Sequence, residues 1–127
     1  MIRKKPVQHE RAEQMALFEW AEAMSAQYPQ LQLMFSITNS GLHHIHYAKL
    51  LNKLGRKKGV PDIFLAVPSP LDYLHGLFIE MKPLNGGVTS KEQKGWHTAL
   101  AGQGYQVEVC RGWVAASKVI MSYLRGV

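Results

Sequence analysis

The sequence predicts an α/β domain, a mixed β-sheet flanked by helices in the order α-β-α-β-β-α-β-α. Three observations carry that expectation. Apolar runs of strand length and composition (31–38, 63–67, 77–81 and 105–110) alternate with segments whose apolar residues recur at helical spacing. The connection between the second and third runs is too short for a parallel crossover, so those strands form an antiparallel pair. The chain has 127 residues, 46% of them hydrophobic, which suits a single domain around one core.

Residues 1–8, with Arg3, Lys4, Lys5 and Pro6, read as a basic arm ahead of one domain spanning 9–127. A helix over 9–27 stops before Tyr28-Pro29, because the residue preceding a proline avoids helical geometry. Leu17, Ala21 and Met24 form its apolar stripe. Glu10 lies seven residues before Leu17, within about 20° of the same face at 3.6 residues per turn. Glu13 and Gln14 border that face, whereas Glu19 and Glu22 fall well off it.

The run 31–38 reads as a buried strand with Leu33, Phe35 and Ile37 on one side and Met34 on the other. Asn39-Ser40-Gly41 is a turn, and 42–54 is a second helix with Gly55 as its C-cap. Pro68-Ser69-Pro70 breaks the strand 63–67. After strand 77–81, the loop from Pro83 to Gly87 leads to Thr89-Ser90, which start a helix running to 101. Gly102 and Gly104 end it. Residues 105–110 alternate as a strand, and a last helix over 114–124 buries Val119, Ile120 and Leu124.

No apolar stretch approaches the roughly 20 residues needed to cross a bilayer. The first fourteen residues lack a secretory h-region. The lone Cys110 excludes a disulfide within the chain and a multi-cysteine zinc site. The cytoplasm is therefore the expected location, with no membrane partner. A net charge of +6 and a pI near 9.6 favour a polyanionic partner, of which nucleic acid is the commonest. Arg56, Lys57 and Lys58 stand just before Pro61-Asp62, where they can contact phosphate.

Two of the apolar runs carry charges that an ordinary buried strand avoids. Asp62 heads one strand, and Glu80 and Lys82 share a face of the next, because residues i and i+2 of a strand project together. Hard divalent cations take oxygen ligands, commonly one or two carboxylates with waters and substrate oxygens. Asp62 and Glu80 meet that need, and the main-chain carbonyl of Met81 can add a third oxygen. Lys82 can orient an attacking water or offset developing negative charge. This donor set suits metal-assisted phosphodiester hydrolysis. An isolated E-x-K, by contrast, is ordinarily a same-face pair at a strand end.

Pro61-Asp62 followed by Glu80-Met81-Lys82 matches the pattern of the PD-(D/E)xK nuclease superfamily. More narrowly, Gly59-Val60-Pro61-Asp62-Ile63, Gly76-Leu77-Phe78-Ile79-Glu80-Met81-Lys82 and Ser90-Lys91-Glu92-Gln93, in that order, resemble the VRR-NUC family in its compact stand-alone form. The segment from Gly104 to Cys110 looks like that family's closing strand. The resemblance implies a restriction-endonuclease-like core, Mg²⁺ or Mn²⁺ as cofactor, and action on branched DNA such as four-way (Holliday) junctions or flaps. It also implies that Asp62 and Glu80 are metal carboxylates and Lys82 the catalytic lysine. Gln93 would be a catalytic glutamine, Glu10 a first-helix acid approaching the metal directly or through water, and Asn39 a substrate contact.

Alternatives stand beside two of these roles. Ser90-x-x-Gln93 and Thr89-x-x-Glu92 both spell a capping box, and Glu13 competes with Glu10. His43, His44 and His46 lack a cysteine or nearby acid to complete a zinc set, and read as a surface or nucleic-acid-facing helix start. Trp96 and Trp113 read as core or interface. One small domain holds one site, so cutting both strands of a junction calls for a homodimer. The competing functions are a catalytically silent DNA-binding module of the same fold and a nuclease acting on ordinary duplex.

Overall fold

A computed structural model of the chain describes residues 6–37, 45–71 and 73–126. It contains, in order, α1 (Pro6–Met24), a 3-10 turn (Pro29–Leu33), β1 (Met34–Ser36), α2 (Ile45–Lys53), β2 (Ile63–Leu65), β3 (Leu77–Lys82), α3 (Lys91–Gly102), β4 (Gln106–Arg111) and α4 (Trp113–Arg125). This is the expected element order. The sheet runs β1-β2-β3-β4, antiparallel across the first two pairings and parallel between β3 and β4. Parallel strands need a long crossover, which α3 provides.

Several boundaries differ from those the sequence suggests, each for a local reason. α1 starts at Pro6, so residues 6–8 belong to the helix rather than to a basic arm. Proline suits a first helical turn, where its missing N–H has no intrahelical acceptor. Residues 1–5 lie outside the described residues. α1 ends at Met24, and Tyr28 N–H still reaches the Met24 carbonyl across a turn. Pro29 opens a 3-10 turn that takes up Leu31–Leu33, shortening the expected strand to Met34–Ser36. Of that segment, Leu31 and Met34 are buried, while Leu33 and Phe35 are about half exposed at 54% and 49%. β2 ends at Leu65, where its ladders to Met34 and Leu77 both stop. Gly55 follows α2 with φ +109°, as its stop role requires.

One face of the sheet carries Ile63, Leu65, Leu77, Ile79 and Met81, all fully buried in a core shared with Leu17 and Ala21 of α1 and Ala116 and Ile120 of α4. Each fully buried Leu or Ile contributes roughly 1.5–3 kcal/mol. On the other face, Phe64 and Phe78 stack at 4.3 Å, with Phe35 and Tyr105 edge-on at 5.7 and 5.3 Å. β3 is one of the two inner strands and is covered on both faces at its end. Odd residues face the core, whereas Glu80 and Lys82 turn to the face under α3 and are 2% and 8% exposed. Burying an acid and an amine is costly without partners. The fold supplies Lys82 with two acceptors, and Glu80 with Asp62 on one oxygen only.

The basic segment after α2 is fixed against the start of α3. Gly59 has φ +94°, and a Cβ placed there would lie 2.7 Å from the Glu92 carbonyl carbon. The Trp96 indole N–H donates to the Lys58 carbonyl at 3.0 Å, tying the same segment one turn further along α3. Positive φ and backbone overlap act together, so Gly59→Ala is expected to cost about 2–4 kcal/mol. Urea unfolding monitored by circular dichroism measures this. A loss below about 0.5 kcal/mol, the level of an ordinary surface change, would mean that the loop is not held against α3.

Candidate active site

Asp62 precedes β2 and joins two neighbouring strands. Its backbone carbonyl accepts from Ile37 N–H at 2.6 Å, and its side-chain Oδ2 accepts from Met81 N–H at 2.7 Å. In β3 the Gly76 and Lys82 carbonyls accept from the Gln106 and Gly112 amides of the β4 side. Even-numbered residues therefore bond toward β4, and the Met81 N–H and C=O turn the opposite way, toward Asp62. The carbonyl that the sequence singled out thus lies on the β2 side of β3.

Glu10, Asp62 and Glu80 each present a carboxylate oxygen to one small space, all within 4.8 Å of one another. Among the described residues, this is the set of acids and imidazoles close enough to hold one ion. The crowding marks the titration of two of its members. Burial, a hydrogen bond with Asp62 and the charges of Asp62 and Glu10 push Glu80 up to about 10, against the opposing pull of Lys82. Burial and the Asp62 charge also raise Glu10, while Lys82 lowers it. Glu80 Oε1 is buried and lacks a hydrogen-bond partner. Three clustered carboxylates and an unpartnered buried oxygen fit a hard divalent cation, which takes oxygen ligands and favours their ionised form.

Glu10 and Glu13 occupy different places. Glu13 Oε2 accepts from the Trp113 backbone N–H at 2.8 Å, at the start of α4, whose N-cap Gly112 has no side chain. Glu13 thus caps α4 from α1, with its negative charge at the helix's positive end. Glu10, one turn earlier, faces Asp62 and Glu80.

Gln93 caps α3 and also contacts Lys82. Ser90 Oγ accepts from Gln93 N–H at 3.1 Å, and Gln93 Oε1 accepts from Ser90 N–H at 2.8 Å, which completes a capping box. The same Oε1 accepts from Lys82 Nζ at 3.0 Å, and the Val88 carbonyl accepts from that ammonium at 3.2 Å. The cap holds the glutamine still, and the glutamine aims the lysine. Of the two boxes legible in the sequence, α3 forms the one at Ser90.

A cleft of about 940 Å³ opens over these residues, with Glu10, Asp62, Glu80 and Lys82 at its floor. Arg56 and Lys58 line one wall and Arg11 of α1 another. Lys57 is exposed beside them. Arg56 Nε donates to Asn52 Oδ1 at 2.9 Å, and Lys58 lies 3.8 Å from Glu92. Asn39, His43 and His44 lie outside the described residues, as does the side chain of His46. Trp113 packs against the core, as expected, and Trp96 holds the basic loop.

Sequence reasoning missed Arg11 and His97. Arg11 follows Glu10 directly, and its place on the cleft wall depends on the packing of α1. His97 Nε2 lies 3.9 Å from Glu80 Oε1, and both atoms are buried without a hydrogen-bond partner. Burial and the Lys82 charge lower the His97 pKa. The signal that could have found it is spacing: His97 is four residues beyond Gln93, hence on the same helical face.

The comparisons with known proteins agree with this architecture. A solved structure described as a VRR_NUC domain protein superposes with a TM-score of 0.74, covering 91% of this chain and 88% of its own at 24% identity. That likeness concerns the fold. No curated protein matches the chain. The sequence profile of the VRR-NUC domain matches residues 3–113, which takes in both walls of the cleft, the acids of β2 and β3, and the α3 start. On that extent of match, the chain belongs to the VRR-NUC family of nucleases.

Proposed function

We propose that this protein is a divalent-metal-dependent DNA endonuclease selective for branched structures such as four-way junctions or flaps. The observation that carries the reading is the convergence of Glu10, Asp62 and Glu80 within 4.8 Å, beside a Lys82 ammonium aimed by Gln93. Asp62, Glu80, Glu10 and the Met81 carbonyl hold the ion, with Mg²⁺ or Mn²⁺ the candidates. When bound, the ion supplies Lewis-acid polarisation of the scissile phosphate. An ammonium has three N–H donors, and Lys82 uses two on Gln93 and Val88. Its third donor orients the attacking water or meets a phosphate oxygen. Arg56, Lys57, Lys58 and Arg11 hold the DNA backbone, and Asn39 adds a substrate contact.

Selectivity for branched DNA rests on the family resemblance of the sequence motifs. A single small site cuts one strand, so symmetric cutting of a junction calls for a homodimer. The setting is DNA processing in the cytoplasm of a bacterium or phage-infected cell. The silent-module reading is disfavoured because Asp62, Glu80 and Lys82 are all present and brought together.

Labelled four-way junction, flap and linear duplex, incubated with Mg²⁺, Mn²⁺ or EDTA, test the reading directly. Junction and flap are expected to be cut only with a cation, and faster than duplex. Equal cutting of duplex would overturn the selectivity, and no cutting of any substrate would overturn the nuclease. Asp62→Asn and Lys82→Ala should each lower cleavage by about 10²-fold or more while junction binding in gel shifts persists. Sedimentation at micromolar concentration should give the mass of two chains; a monomer would count against the paired arrangement.

The carboxylate cluster also predicts a pH signature. The folded Glu80 pKa lies above its unfolded value, so the folded chain holds a proton that the unfolded chain releases. That contribution is fully present below the ordinary glutamate range and is lost as pH rises through about 10. Cation-free protein should therefore melt at progressively lower temperature from pH 7 to 9. This window avoids the opposite effect of His97 at lower pH. Glu80→Gln separates Glu80 from the Cys110 thiol, which burial raises to about 11 and whose same-signed effect sets in near the ordinary thiol pKa of about 8.5. Added Mg²⁺ or Mn²⁺ should flatten the slope, as should Glu80→Gln without cation. An unchanged slope in Glu80→Gln would assign the effect elsewhere.

A further inference from the structure

α3 and β3 run past each other at the site, and their repeats match. Four residues of helix advance about 6 Å, and two residues of strand advance about 6.6 Å. Gln93 and His97 on one turn of α3 therefore meet Lys82 and Glu80 on one repeat of β3. Gln93 Oε1 accepts from Lys82 Nζ at 3.0 Å, and His97 Nε2 stands 3.9 Å from Glu80 Oε1. The first pair is closed. The second is longer than a hydrogen bond, and both of its atoms are buried and unpartnered.

We propose that His97 is the positioning residue of Glu80: its Nε2–H would hold Oε1 in the cation-loaded site, leaving the other carboxylate oxygen for the ion. The proposal rests on the metal-dependent reading above. His97 stands outside the carboxylate set that shares one 4.8 Å space, so it sits behind Glu80 rather than among the ligands. A buried imidazole and a buried carboxylate oxygen that face each other at 3.9 Å without other partners are an open pair, one short side-chain adjustment from a hydrogen bond. Partners of this kind fix the orientation of a ligating carboxylate and strengthen its hold on a cation. α3 would then act as a splint along the E-x-K face, with one side chain for each of its two charged residues.

The test compares His97→Leu and His97→Gln in the full chain, with Mn²⁺ as the probe. Gln carries an N–H donor near the place of Nε2, whereas Leu fills similar space without one. Titration of Mn²⁺ followed by electron paramagnetic resonance should show affinity about 10–100-fold weaker in His97→Leu and within about 3-fold of the parent in His97→Gln. At saturating Mn²⁺, His97→Leu should lower kcat for junction cleavage with KM for DNA unchanged. In EDTA its melting temperature should stay at or above the parent's, because removing an unpartnered buried polar group does not weaken the fold. Parent-like Mn²⁺ affinity in His97→Leu, or Leu-like weakness in His97→Gln, would overturn the positioning role while leaving the nuclease reading standing. A parent protein that binds no Mn²⁺ would overturn that reading, and this inference with it.

Discussion

Past Ile63 and Ile79 the regular pairing of β2 and β3 has ended, yet the strands remain joined because Met81 N–H donates to the Asp62 carboxylate at 2.7 Å. This side-chain bond replaces the next step of the ladder. It fixes the aspartate that heads β2 and turns the Met81 carbonyl toward it, while the alternation of β3 sends Glu80 and Lys82 to the face beneath α3. The ladder sets the register of the two strands, and this bond carries it on to the acids beyond the ladder's end. The rest of the site is built around it, with Glu10 arriving from α1 and Gln93 and His97 from α3.

The sheet separates two kinds of energetics. On the core face, side chains are apolar and their burial against α1 and α4 stabilises the fold. On the other face, the end of β3 holds an acid and a lysine away from water. Their cost is lowered unequally: Lys82 has two acceptors, whereas Glu80 has Asp62 on one oxygen and an unpartnered atom on the other. The raised pKa of Glu80 expresses that imbalance. Stored strain of this sort is characteristic of positions kept for chemistry rather than stability.

The centre of the site was legible in the sequence because misplaced charge is a strong signal. Asp62, Glu80 and Lys82 each interrupt an apolar run, and strand periodicity places the last two on one face. The helical phase of Glu10 was equally readable, but its choice over Glu13 was not. That choice depends on α4 beginning at a glycine-capped turn about 100 residues away. Gln93 was undecidable because capping and lysine orientation use the same oxygen. The element order was also readable, whereas the ends of β1 and β2 were set by where partner strands stop. His97 and Arg11 stayed hidden because an ordinary histidine or arginine on a helix has no local mark, and only the packing of that helix reveals its role.

The docking of Gly59 and Lys58 on α3 has a geometric implication. The backbone that carries the cationic loop and the helix that aims Lys82 form one frame, joined by backbone contact and by the Trp96 hydrogen bond. Under the proposed function, a phosphate held by the loop would be referenced to the same helix that orients the lysine. The spacing between it and a phosphate over the carboxylates would then be a dimension of the scaffold, a built-in ruler along the polymer.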